Sequence, residues 1–161
     1  MCTYSADSYG MFGKLNFIPA AKHAPGDRYE IYDYDSNEHR GSIPEVAETY
    51  NVVGHINEYK VSIMETTFGG RHEVELDSCG LIDYGSLMYL GLMRAKTARE
   101  AIKVMTSLVE EYGYASEGES FSVCDAEEAW IMEMISQGHG SKKVVWVSQR
   151  MPDNAIAGHS N

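Results

Sequence analysis

The chain has 161 residues, 43% hydrophobic and 23% charged, which is long enough for one domain with its own core and too apolar for a disordered segment. Lys and Arg total 13 against 24 Asp and Glu, and the net charge of -11 repels phosphate backbones and anionic bilayers, which argues against nucleic-acid and membrane partners. No apolar run approaches the roughly 20 residues that cross a bilayer, and no basic segment followed by an apolar stretch opens the chain, so a cytoplasmic place is expected.

The chain begins "MCTYSADSYG", with Cys2 directly behind the initiator methionine. Its side chain is small enough for methionine trimming, which would leave thiol and free α-amine on one residue. From Phe12 to about Thr67 the signals are extended. "RYEIYDYD" alternates apolar with charged residues, the period of a half-buried strand, and "SNEHRG" reads as a turn. "ETYNVVGHINEYKVSIMETT" predicts two strands about a tight turn near Ile56–Lys60, and "FGGRHEVELDSCG" a loop.

Two helices are expected next. "LIDYGSLMYLGLMRA" spaces Leu81, Tyr84, Leu87, Met88 and Leu92 by threes and fours, one apolar face. "TAREAIKVMTSLVEEYG" opens with Thr97 as N-cap and Glu100 three residues on, buries Ile102, Met105 and Val109, and stops at Gly113. The methionines here read as core filler. Beyond Gly118 the strand period returns: "SFSVCD" and "EAWIMEMI" form a hairpin about "DAEE", "GHGSKK" turns, and "VVWVSQRM" is a further strand before "PDN" and "AIAGHSN". Strands, two helices, then strands joined by hairpins make an α+β layered domain rather than alternating parallel units.

Familiar chemical motifs are missing. The three cysteines, Cys2, Cys79 and Cys124, show no CxxC spacing, and Cys124 reads as a buried core thiol. The six histidines form no HxxxH or HExxH pair, and there is no GxSxG elbow or phosphate loop, so no metal and no cofactor is expected. Composition and spacing stop at an α+β domain.

Longer blocks go further. "YSADSYG", "IPEVAETYNVVGHINEYKVSIMETTFGG", "LIDYGSLMYLGLMRAKTAREAIKVM", "EEYGYASEGESFSVCDAEEAWIMEMI" and "VVWVSQRMPDNAIAGHSN" resemble, in order, the blocks of the bacterial dipeptidase A family. These are cysteine peptidases of the N-terminal-nucleophile (Ntn) hydrolase superfamily, related to penicillin V acylase and conjugated bile acid hydrolase. The resemblance implies an αββα sandwich, with the thiolate of Cys2 attacking an amide carbonyl and its own α-amine shuttling the proton. That amine titrates near pH 8 unperturbed, so no histidine is needed as base.

By motif, Asp7 resembles the aspartate that holds the α-amine, and Asn57 of "HINE" and Asn161 of "AGHSN" resemble oxyanion-hole donors. Glu65 and Thr66 of "METT" are expected along the substrate cleft. Each has a plainer alternative: a turn cap for Asp7, a turn residue for Asn57, a chain end for Asn161. The likeness departs from the family at two places. Only Thr3, Tyr4, Ser5 and Ala6 lie between Cys2 and Asp7, where the family carries a strand, a turn and a second strand, and the family's later elements follow the "GHSN" block. The expectation is thus one Ntn-like domain over residues 1–161, shortened near its start and incomplete at its end. Its substrate would be a dipeptide or another small amide. The rival readings are an acylase of the bile-acid or penicillin V type, and an inactive fragment that forms a homo-oligomer through an exposed sheet edge.

Overall fold

The structure, a computed structural model, describes residues 3, 5, 15–68, 79–138 and 140–159. Its frame is a seven-stranded antiparallel sheet in the order β1-β6-β7-β8-β9-β10-β11. The short strands β1 (Phe17–Ile18), β6 (Val52–Val53) and β7 (Ile56–Asn57) lead to four-strand-wide regularity only from β8 (Ser62–Phe68), which pairs with β9 (Gly118–Cys124), then β10 (Ala129–Ser136), then β11 (Val144–Arg150). Two two-stranded sheets flank it: β2 (Ala21–Lys22) with β5 (Glu48–Thr49), and the hairpin of β3 (Arg28–Tyr32) with β4 (His39–Pro44).

Alternation divides the sheet into two faces. Ile63, Phe121, Val123, Met132 and Met134 point to one side and are at most 1% exposed. Against them lie α1 (Tyr84–Arg94) and α2 (Ala98–Tyr112). Helix α1 begins where the Asp83 carboxylate accepts from the Ser86 backbone N–H, and every residue from Gly85 to Met93 is buried. The single stripe expected of it is therefore too narrow: α1 is wrapped by α2, the sheet and the β3–β4 hairpin, whose Ile31 and Ile43 are fully buried. Helix α2 follows the expected pattern. Thr97 accepts from the Glu100 N–H, Met105 and Val109 are fully buried, Ile102 is nearly so, and Gly113 closes the helix at φ +80°, a value that favours glycine. Glu100 reaches past the cap to the Lys96 N–H rather than to that of Thr97, a displaced form of the capping box.

The α+β class is borne out, as are the β9–β10 hairpin, strand β11 and burial of Cys124. Two expectations change. "HRG" belongs to strand β4, because the turn is tighter than "SNEHRG": the Asp33 carboxylate gathers the N–H groups of Asp35 and Ser36 and ends it by Glu38. The region before β8 splits into several two-residue strands rather than one long partner. The loop expected over Phe68–Gly80 falls mostly outside the described residues, as do His72 and His139. Among the described residues no helix is long and apolar enough to cross a membrane.

Candidate active site

The face of the sheet turned away from the helices carries Met64 and Thr66 on β8, Ser122 on β9 and Ile131 on β10. Met151 to His159 runs along this face, and together they enclose a cleft of about 930 Å³. Its walls include Thr3, Ser5, Glu65 and Thr66. The two positions expected along the substrate cleft thus share it with the sequence neighbours of Cys2 and Asp7. Cys2, Asp7 and Asn161 themselves lie outside the described residues.

The final segment is tied to the sheet at one side chain. Ser122 Oγ and His159 Nε2 lie 2.8 Å apart in hydrogen-bond contact. His159 Nδ1 is buried and has no partner among the described residues. A histidine two residues before Asn161 is therefore docked on strand β9.

Asn57 sits elsewhere. It is 5% exposed and is not among the cleft walls. Its Nδ2 donates to the carbonyls of Leu92 and Ala95 at 2.8 and 2.7 Å, and its Oδ1 accepts from the N–H groups of Tyr59 and Val61, both at 3.0 Å. The oxyanion expectation meets an amide whose two hydrogens are already given to the C-terminal end of α1. What those bonds do is seal orphan carbonyls at a helix end and fix the β7–β8 turn.

Alternation sends Glu65 to the helix side of the sheet, in register with Phe121, while Thr66 beside it, in register with Ser120, faces the open side. There Glu65 meets an acid that sequence reading passed over. Glu119 on β9 is fully buried, and Thr67 on β8 donates its hydroxyl hydrogen to Glu119 Oε1. Burial pushes the Glu119 carboxyl up to about 8; the Thr67 hydrogen bond opposes this, and the nearby Glu65 carboxyl adds to it. Three tyrosines share the region. Tyr114 is fully buried, Tyr84 donates to Asp35 at 3.1 Å, and Tyr34 lies edge-on to Tyr84; burial is the first cause that raises all three phenols, followed by Glu119 for Tyr114, Asp35 for Tyr84 and the Tyr89 phenol for Tyr34. The signal for Glu119 was available in "GESFSVC", where the period of two puts it on the face of Phe121 and Val123.

Among the described residues no group of three His, Cys, Asp or Glu could hold a metal ion. The sequence profile of peptidase family C69 matches residues 22–161. The chain belongs to peptidase family C69. A probable dipeptidase of Latilactobacillus sakei is 28% identical over 169 aligned positions, covering 95% of this chain and 34% of that protein. A dipeptidase of Bifidobacterium longum is 38% identical over 61 positions, which is 37% of this chain and 10% of that protein. The chain thus spans about a third or less of the length of these relatives. The C69 match starts after Cys2 and Asp7, whereas the long alignment with the L. sakei protein takes in nearly the whole chain.

Proposed function

We propose that this member of family C69 serves dipeptide hydrolysis, with Cys2 as nucleophile once Met1 is removed. Two similar proteins named as dipeptidases support the substrate class, and the cleft on the open face of the sheet supports the place. The observation that carries the reading is the company in that cleft: Thr3 and Ser5, which lie between the nucleophile and Asp7 in the chain, share its walls with Thr66 and His159.

In this reading the Cys2 thiolate attacks the peptide carbonyl carbon, and the carbonyl electrons move to oxygen. Asn161 donates to that oxyanion. The α-amine of Cys2, held by Asp7, takes the thiol proton and passes it to the departing amino group as the C–N bond breaks. Water then attacks the thioester through the same amine, releasing the second product and restoring the thiol. Asn57 is given a positioning role, through the end of α1 and the β7–β8 turn, rather than a hydrogen bond to substrate. Glu65 borders the cleft by its place on β8, while its carboxyl lies on the opposite, helix side of the sheet beside Glu119. The fold belonging to this reading is the αββα sandwich, of which the seven-stranded sheet and its two helices supply one αβ half.

The test is hydrolysis of a panel of dipeptides, followed by release of free amino acid. Turnover is expected and should fall to background in Cys2→Ala and at least about 100-fold in Asn161→Ala, the size of loss typical for one oxyanion donor. Equal activity of Cys2→Ala and the parent chain would overturn the proposal. Hydrolysis of conjugated bile acids or penicillin V in place of dipeptides would move it to the acylases.

A further inference from the structure

The far edge of the sheet offers an unusual strand. Among the described residues nothing pairs with the outer side of β11. Its middle is apolar on both faces: Val145 and Val147 are 55% and 61% exposed on the open side, and Trp146 is 45% exposed on the helix side. Edges are ordinarily blunted by charge, proline or brevity, yet this one runs seven residues, "VVWVSQR", with only the last charged.

The hydrogen-bond phase of β11 says which backbone groups face outward. The Gln137 N–H donates to the Lys143 carbonyl, and the Met151 N–H to the Ala129 carbonyl. In an antiparallel ladder such bonded pairs alternate with unbonded ones, so Val145, Val147 and Gln149 also bond inward to β10. The N–H and C=O groups of Val144, Trp146, Ser148 and Arg150 therefore point outward. A second copy of β11, laid antiparallel about a two-fold axis through Val147, sets Val144 opposite Arg150 and Trp146 opposite Ser148. This register matches every outward group of one copy with an outward group of the other.

We propose that two copies of this chain associate through β11, joining their sheets across a two-fold axis at Val147. Charge agrees with the register. Lys142 and Lys143 precede the strand and Asp153 follows it, so antiparallel pairing brings the basic end of each copy beside Asp153 of the second copy. No like charges meet within the strand. On the helix side, α2 lies over β9, β10 and β11. Centred on β10, the two α2 helices stand about three strand spacings apart, roughly 14 Å. That leaves a groove between them whose floor is Trp146 and Ser148, and both residues, with Ile102 and Thr106 of α2, already line a shallow apolar hollow of about 380 Å³. Val147 meets Val147 of the second copy on the open face.

The experiment is sedimentation equilibrium of the whole chain across micromolar to hundreds-of-micromolar concentration. The parent is expected to pass from monomer to dimer. Val147→Lys and Val147→Glu each place like charges on the axis and should weaken association at least about tenfold. An equimolar mixture of the two should restore a dimer. Ser148→Pro removes an outward N–H while leaving the bonds to β10 in place, and should also yield monomer with unchanged circular dichroism. A parent that stays monomeric throughout, as when this edge is covered only by further chain in longer relatives, would overturn the proposal. So would a dimer indifferent to all three substitutions.

Discussion

Asn57 and Glu119 show how one side chain's surroundings decide its work. Asn57 has both amide hydrogens and its oxygen engaged by backbone, at the junction of a turn and a helix end. Removing them orphans two carbonyls and two N–H groups in a buried place. Asn57→Ala is expected to lower stability by about 3 kcal/mol in urea unfolding, whatever it does to activity. Glu119 is raised in the folded state from 4.5 to about 8 by burial and by Glu65. The unfolded chain loses this proton first, so the stabilisation is complete below about pH 4.5 and is lost as the pH rises through about 8. The melting temperature of the parent should therefore fall between pH 5 and pH 8, and Glu119→Gln should flatten that fall. A steeper fall in the variant would contradict the assignment.

The elements are joined by a few side chains that cross between them. Asp125, in the β9–β10 turn, accepts from the N–H groups of Glu127 and Glu128 and also from Ala98 at the start of α2. Burial pushes its carboxyl up, but those three donors outweigh burial and hold it below its ordinary 3.8. Its contribution is present above that pH and fades as the pH falls further. Asp125→Ala should cost about 2 kcal/mol at neutral pH by loosening hairpin and helix together, as read by chemical denaturation. Helix α1 is held differently. A Cβ at Gly85 would lie 2.2 Å from Cγ of Tyr34, so Gly85→Ala must displace that ring. The gain of about 1 kcal/mol from helix propensity is smaller than the 1–3 kcal/mol typical of overpacking, and a net loss in melting temperature is expected.

These elements also show what the sequence could reveal. Helix α2 was legible down to its caps, because Thr97, Glu100 and Gly113 act locally and its apolar stripe meets one surface. The stripe on α1 understated its burial, because what covers it is the β3–β4 hairpin, some fifty residues earlier in the chain. The short strands before β8 were illegible for a related reason: two-residue pairings leave too little alternation to register. At the cleft, Glu65 and Thr66 were legible as neighbours only. Strand alternation alone sets them on opposite faces, but which of them faces the open side follows from the register with β9, which no local pattern contains.

At the scale of the whole molecule, one face of the sheet is filled by helices and the other holds the cleft under Met151 to His159. The Ser122–His159 contact is a docked point of that segment, so Ser122→Ala should release it and lower turnover of dipeptides more than it lowers the melting temperature. The apolar edge at β11 belongs to the same economy of a sheet larger than its cover. Both features leave the central claim resting on Cys2. Its most direct test is the intact mass of the purified chain before and after a thiol-reactive dipeptide analogue, with the adduct mapped by fragmentation. Loss of Met1 and a single adduct on Cys2, absent from Cys2→Ala, is the predicted result. A retained Met1, or labelling confined to the exposed Cys79, would contradict it.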